Sequence, residues 1–144
     1  MSSILVCLFP LFEKRSTAAN TENIILKEFL SKEKDNYWRE EIIYLANRGA
    51  HYRLDKCAKT INLMMKKADI ASYYFNNNDI NLIMDILLRE VLTNQESKTR
   101  CQILRLMETL LNNDIYKEQN YKIEEVEEMI DEQIKYEEDE IADK

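Results

Sequence analysis

The sequence predicts an all-α fold, either a helical solenoid or a compact multi-helix bundle. The 144-residue chain contains one Gly and one Pro, whereas ordinary usage is about 7% and 5%. Sandwiches and barrels need many Gly- and Pro-bearing turns, and a dinucleotide-binding sheet needs a glycine-rich loop. Apolar residues instead recur at helical spacing between short polar turns. Because the turns are short, successive helices are expected to run roughly antiparallel.

The first 20 residues are expected to be an N-terminal apolar segment followed by a linker. Residues 1–12 are apolar, but Pro10 and the charged residues 13–15 interrupt them too early for a secretion signal. We interpret the small polar residues 16–20 as the linker. No run approaches the roughly 18 apolar residues of a membrane span, so no membrane insertion is expected.

Residues 21–135 are expected to form one helical domain. Helices are predicted at 21–34, with Thr21 as N-cap, and at 37–48, with Gly49 just beyond the end, where a left-handed residue is favoured. A third helix is predicted at 52–67. The apolar stripe of this third helix consists of Leu54, Cys57, Ala58, Ile61, Met64 and Met65.

Residues 80–93 are predicted to form the central helix, with Asp79 as its N-cap. The segment is apolar on nearly every side, which is typical of a helix buried by several neighbours. The aromatic segment 70–75 before it is interpreted as core rather than as a binding cage. Asp85 and Arg89 are four residues apart, so they are expected to meet as a structural ion pair or as a partner-facing pair.

Two further helices are predicted at 98–111, with Ser97 as cap, and from 122 to about 136. The first presents Cys101, Leu104, Met107, Leu110 and Leu111, and the second presents Ile123, Val126, Ile130 and Ile134 among acidic residues. Residues 136–144 are expected to be an acidic, frayed tail. Because no clean repeat of about 40 residues is present, a solenoid of the armadillo or HEAT kind and a compact bundle both stay open.

The distribution of charge argues against nucleic acid as a partner. Residues 1–120 contain 17 basic and 16 acidic side chains, while residues 121–144 contain 3 basic and 11 acidic ones. Binding to phosphates requires a basic face, and none is evident. The acidic residues 124–128 follow a helical pattern without the glycine of a calcium loop, so we interpret them as a solvent-facing helix surface.

The sequence shows no pattern of an active site, a metal site or a cofactor site. Cys7, Cys57 and Cys101 are widely spaced, which favours a reduced, cytosolic protein over a disulfide or zinc protein. His51 is the one histidine, and no serine or cysteine lies near it to form a nucleophile–base pair. We therefore expect no enzyme, and the residues alone indicate a helical domain that binds other proteins.

Three segments share an ordered pattern with a known family. Residues 75–91 (FNNNDINLIMDILLREV) combine an aromatic residue, a polar turn, Asn-Asp, an apolar stretch and Asp-Ile-apolar-apolar-Arg. Residues 45–49 (LANRG) precede them, and residues 116–126 (YKEQNYKIEEV) follow, with Gln119 where the family pattern has His. In this order and spacing the segments, which span roughly residues 44–130, resemble the WISH/DIP/SPIN family, which includes the yeast Dip and Ldb proteins.

The resemblance implies an armadillo-like solenoid that binds and allosterically activates the actin-related protein 2/3 complex. It implies that the product is linear actin filaments made without a preformed filament. It also implies a location in the cytoplasm, at cortical actin patches, and a role in endocytosis. Actin itself would be an indirect partner. The alternative is a helical scaffold or adaptor without nucleation activity. The candidate partner-binding residues in the matched segments are Asn47, Arg48, Asn78, Arg89 and Tyr116.

Overall fold

A computed structural model of the chain describes residues 2–19, 21–30, 35–48, 54–67, 74–94 and 96–142. Within these ranges the chain forms eight helices and no strand, which confirms the predicted all-α class. In chain order the helices are α1 (Ser2–Ala19), α2 (Ile24–Phe29), α3 (Asp35–Asn47), α4 (Leu54–Met65), α5 (Asn77–Thr93), α6 (Ser97–Leu111), α7 (Asp114–Gln119) and α8 (Ile123–Ala142).

Helix α4 lies at the centre of the first part of the molecule. It packs against α1, α3 and α6, and α6 in turn packs against α5. All six residues of its predicted apolar stripe are buried, which confirms the helical pattern on which the prediction rested. Asn62 is also buried on α4, where its Oδ1 accepts a hydrogen bond from Thr109 Oγ1 of α6 at 2.6 Å.

The N-terminal segment belongs to the core. Phe9 of α1 is fully buried and stacks on Phe29 of α2 with ring centroids 5.7 Å apart. The expected linker at 16–20 is wrong for residues 16–19, because α1 continues through Ala19. Ser16 is compatible with the helix since its hydroxyl donates to the carbonyl of Glu13, three residues earlier, at 3.1 Å.

The side chain of Asn23 links the first two helices and caps the second. Its Oδ1 accepts from the backbone N–H groups of Ile25 and Leu26, so Asn23 and not Thr21 is the N-cap of α2. Its Nδ2 donates to Glu13 Oε2 at 2.7 Å, and this second bond accounts for its burial. Ile24, the first residue of α2, is 59% exposed.

Helix α3 places aromatic and aliphatic residues against the core. Trp38 and Ile42 are buried. Of the aromatic segment 70–75, Tyr74 and Phe75 lie within the described residues; both are buried, edge to face at 5.0 Å, which confirms them as core. The predicted cap Gly49, the single histidine His51 and residues 31–34 and 68–73 lie outside the described residues.

Helix α5 begins earlier than predicted and is not buried on every side. Asn76 is its N-cap: Asn76 Oδ1 accepts from the Asp79 N–H, and Asp79 Oδ2 accepts from the Asn76 N–H, both at 3.0 Å. The helix packs against α3, α6, α7 and α8. One face stays uncovered, where Leu82 is 42% and Leu92 is 58% exposed. The expectation that α5 is buried all round is therefore wrong.

Helix α6 is rotated relative to the expected orientation. Its buried face consists of Ile103, Leu106, Met107 and Leu110, whereas Cys101 is exposed. Glu96 occupies the N-cap position, and Ser97, the expected cap, is the first helical residue. Ile103, Leu106 and Met107 are spaced three and four residues apart, as one face of a helix requires. The predicted residues have the same spacing, so periodicity alone could not show which of the two faces is buried.

The C-terminal part consists of the short helix α7 and the long helix α8. Helix α7 was not predicted, because six residues are too few to display a period. Helix α8 extends through Ala142, so the expected frayed tail is wrong for residues 136–142; glutamate, which is abundant there, is a good helix former. Among the described residues, no helix combines the length and the apolar character that crossing a bilayer requires.

Candidate protein-binding surface

The three segments that share the family pattern meet on α5. Asp85 and Arg89 lie one helical turn apart on this helix. Arg89 reaches the C-terminus of α3, in residues 45–49, and Asp85 reaches the turn between α7 and α8, in residues 116–126. Residues far apart in the sequence are thus linked through one helix face.

Arg89 is held by several hydrogen bonds. Its Nη1 donates to Asn47 Oδ1 and its Nη2 to the Asn47 carbonyl oxygen, both at 3.1 Å. Its Nε and Nη2 also donate to Glu90 Oε1 at 3.0 and 2.9 Å. The guanidinium therefore satisfies a carbonyl at the end of α3, where intrahelical donors are absent. The Arg89 side chain stays 49% exposed, so it is both fixed in direction and accessible.

Asp85 does not pair with Arg89, and the predicted ion pair between them is wrong. Its carboxylate instead accepts hydrogen bonds from the Tyr121 hydroxyl at 3.1 and 3.2 Å, and Lys122 Nζ lies 3.1 Å from its Oδ1. Lys122 also lies 3.3 Å from Glu125 Oε2. These contacts fix the start of α8, which follows two left-handed residues, Asn120 (φ 48°) and Lys122 (φ 51°).

The same contacts change two proton affinities. Hydrogen bonds to Asp85 and to Glu125 raise the pKa of the Lys122 ammonium. Partial burial, together with the hydrogen bond to Asp85, raises the pKa of the Tyr121 hydroxyl. Both groups therefore hold their protons more firmly in the folded chain than in the unfolded chain.

Arg48 and Tyr44 form an exposed cation–π pair at the end of α3. The Arg48 guanidinium carbon lies 4.9 Å from the centre of the Tyr44 ring, and Tyr44 is 48% exposed. Arginine and tyrosine are enriched among the residues that dominate protein–protein binding energy. Sequence reasoning selected Arg48 but missed Tyr44, although an aromatic residue four positions before an arginine on a helix was a usable signal.

Asn78 is exposed in the first turn of α5. It is not part of the capping box, which Asn76 and Asp79 form. Asp79 has a further structural role, because its Oδ2 lies 3.1 Å from Arg39 Nε of α3. Asn78 is therefore available at the surface, and its role in partner binding stays a prediction.

Tyr116 belongs to the core rather than to the surface. It is 1% exposed, and its hydroxyl donates a hydrogen bond to the carbonyl of Tyr121. Burial raises the pKa of its phenol. This placement corrects the choice of Tyr116 as an accessible anchor: a tyrosine inside a matched motif gave no signal of which side of α7 would face the core.

A stripe of residues along α5 is exposed except at Asp85, which Tyr121 and Lys122 partly cover, and we call this stripe the α5 face. Its residues are spaced four, seven, eleven and fourteen positions after the first, so they share one side of the helix. From Asn78 to Arg89 the stripe is about 16 Å long at 1.5 Å per residue. The α5 face consists of Asn78, Leu82, Asp85, Arg89 and Leu92.

A groove of about 370 Å³ adjoins the α5 face on the side of α8. Leu88 and Leu92 of α5 and Met129 of α8 line it, together with Arg89 and several glutamates of α8. Among the described residues, no group of three His, Cys, Asp or Glu side chains could hold a metal ion. Arginine is enriched among the residues that dominate protein–protein binding energy, and Arg89 lies here beside the exposed Leu92.

Comparison with known proteins gives one result that bears on identity. A family model described as the leucine-rich domain of SPIN90/Ldb17 matches residues 2–126. The matched range includes the α5 face, Arg48 and the contacts of Arg89 with Asn47. No curated protein and no solved structure gives a significant match to the chain.

Proposed function

Because the chain belongs to the SPIN90/Ldb17 leucine-rich domain family, we propose that it activates the actin-related protein 2/3 complex by binding to it. Membership of the family relates the chain to the actin-regulating machinery. The observation that carries the proposal is the match over residues 2–126, which covers most of the 144 residues. The product would be linear actin filaments that need no preformed filament, and the site of action would be the cytoplasm, at cortical actin patches.

The α5 face and the Arg48–Tyr44 pair are the proposed contact surface. Leu82 and Leu92 supply apolar area at two points of the stripe, and Arg89 between them is already oriented by Asn47 and Glu90. A side chain that is ordered before binding loses less conformational entropy on binding. A stable interface buries about 800 Å² on each partner, so the surface must extend beyond the five residues of the α5 face.

Activation requires more than binding. The complex exchanges between an inactive conformation and one in which its two actin-related subunits resemble a filament end. The chain can shift this exchange only by the difference between its affinities for the two conformations, and equal affinity would shift nothing. In our proposal the contact surface is complementary to the active conformation, so binding and nucleation depend on the same residues.

The first experiment measures actin assembly by pyrene fluorescence. Purified actin and the actin-related protein 2/3 complex are mixed with the chain, without preformed filaments or another activator. We expect faster assembly and unbranched filaments under the microscope. Unchanged assembly with a folded chain would contradict activation. In that case a pull-down against the complex would separate a silent adaptor, which binds, from a protein that does not engage the complex.

A matched pair of leucine and isoleucine variants tests the contact surface. Leu92 on the α5 face is 58% exposed, and Ile24 on α2 is 59% exposed. Helix α2 packs against α1 and α3, away from the α5 face. We expect Leu92→Ser to lower the affinity for the complex about fivefold or more and Ile24→Ser to leave it within about twofold. Equal effects of the two changes would refute the α5 face as the contact surface.

A further inference from the structure

The second half of α8 extends the apolar stripe of the helix beyond the body of the molecule. Val126 and Met129 are 1% and 3% exposed, whereas Ile130 is 37% and Ile134 is 50% exposed. Val126, Ile130 and Ile134 are four residues apart and therefore lie on one side of the helix, with Met129 next to Ile130. The side of α8 that packs against the body near residue 126 is thus open near residue 134.

A groove beside this stripe separates α8 from α6. Among the described helices, α8 packs closely only on α5. The space between α8 and α6 has a volume of about 270 Å³. Leu104, Met107 and Leu111 of α6 line one side of it, and Met129 and Ile130 of α8 line the other. Near its end a hydrogen bond from Arg100 of α6 to Gln133 of α8 joins the two helices.

The α8 side of the groove is acidic. Residues 123–142 contain ten acidic side chains and one lysine, Lys135. Glu127 and Asp131 stand three residues before Ile130 and Ile134, respectively, and so flank the exposed stripe. Glu108 belongs to the lining on α6, and no lysine or arginine is part of the lining that the structure describes.

We infer that the groove between α6 and α8, with Ile130 and Ile134, binds an amphipathic helix that presents an apolar face flanked by lysines or arginines. Apolar side chains would fill the space against Leu104, Leu111 and Ile130, and the flanking cations would lie against Glu108, Glu127 and Asp131. A second copy of α8 fits this surface poorly, because two helices of the same acidic charge repel each other.

This site is distinct from the α5 face in two respects. It lies on the α6 side of α8, whereas the α5 face adjoins the groove on the opposite side. Most of its α8 part also follows residue 126, where the match to the SPIN90/Ldb17 domain ends. The inference therefore does not depend on activation of the actin-related protein 2/3 complex, and the two can fail separately.

The test uses the full chain and a labelled synthetic peptide of about 15 residues, roughly four helical turns, with leucines on one helical face and lysines on the other. Binding is followed by fluorescence anisotropy. One control peptide has glutamate in place of lysine, and a second has the same composition with the leucine spacing scrambled. We expect the leucine–lysine peptide to bind at least about tenfold more tightly than either control, since both the apolar contacts and the charges contribute.

Chain variants locate the site. We expect the double variant Ile130→Ser/Ile134→Ser to weaken binding of the leucine–lysine peptide about tenfold and Ile24→Ser to leave it within about twofold. Circular dichroism establishes that each variant is folded. Equal binding by the chain and the double variant would overturn the inference. So would equal binding of the scrambled peptide, or sedimentation that shows a dimer of the chain which the double variant abolishes.

Discussion

Helices α4 and α8 are both amphipathic, but the molecule uses them differently. Nine of the twelve residues of α4 are buried, because α1, α3 and α6 surround it. In α8, Val126 and Met129 are the buried residues among the side chains described between 123 and 135. An apolar stripe therefore becomes core or accessible surface according to how many neighbours cover it, which the stripe itself does not specify.

The polar contacts of α4 and α8 also differ in how far they are exposed. The hydrogen bond from Thr109 to Asn62 of α4 lies between two packed helices. The start of α8 is instead held by Lys122 and Asp85, whose side chains are 36% and 37% exposed. Exposed ion pairs contribute little to stability, so α8 is attached more weakly than α4. A weakly attached helix with an open side suits a role in binding.

The largest difference is expected from two matched methionine truncations. Met64 of α4 is 0% and Met129 of α8 is 3% exposed. We expect Met64→Ala to lower the free energy of unfolding by about 3 kcal/mol and Met129→Ala by about 1 kcal/mol. Met129 lines the grooves on both sides of α8, so its removal leaves a less enclosed cavity. Urea unfolding measures both values, and similar losses would contradict the contrast between the helices.

A smaller loss of stability is expected when the hydrogen bonds between α5 and α3 are removed. Arg89→Met removes the hydrogen bonds to Asn47 and leaves Glu90, whose side chain is 11% exposed, without its cation. We expect a loss of about 1 to 2 kcal/mol in the free energy of unfolding. The double variant Arg89→Met/Glu90→Leu should recover part of it, because no buried charge is left unpaired. A double variant less stable than the single one would exclude this account.

The attachment of α8 should weaken at alkaline pH. The pKa values of Tyr121 and Lys122 are raised from ordinary values of 10.0 and 10.5. Their contribution to stability is therefore complete below about pH 10 and is lost as the pH rises through the raised pKa values. The variant Tyr121→Phe should lose stability less steeply than the natural chain above about pH 10. Parallel profiles of unfolding midpoint against pH would show that Tyr121 has no part in this loss.

The smallest effect on stability is expected at Arg48. Its guanidinium rests on the exposed ring of Tyr44, away from the buried contacts. We expect Arg48→Ala to change the free energy of unfolding by less than about 0.5 kcal/mol. Its affinity for the actin-related protein 2/3 complex should fall about tenfold if Arg48 is an anchor of the interface. A variant that unfolds, or one that binds normally, would remove Arg48 from the contact surface.

Much of the fold was predictable because local patterns decide it. The scarcity of Gly and Pro and the stripe of α4 led directly to helices, and these predictions are confirmed. The choice of capping residue was less predictable, since several polar residues stand at each turn. Asn23 and not Thr21 caps α2, and Asn23 also donates a hydrogen bond to Glu13 of another helix.

The candidate site was predictable only in part. The motif residues Arg89 and Asn47 were found in the sequence, but their direct contact joins α5 to α3 and is absent from either segment alone. The spacing of Asp85 and Arg89 favoured a pair between them, yet Tyr121 and Lys122 reached Asp85 instead. Tyr116 shows the same limit, because the side of α7 that faces the core depends on α5 and α6.

Local patterns in the amino-acid sequence specify that the chain is helical and where most of its helices lie, and they show that three ordered segments resemble one family. These properties depend on interactions between residues within about four positions of each other, which the sequence displays directly. Packing between helices, in contrast, sets which face α5 exposes, which part of its stripe α8 leaves open and how Asn47 fixes Arg89. Each of these depends on which neighbour covers a helix, and that is set by the packing of the whole chain.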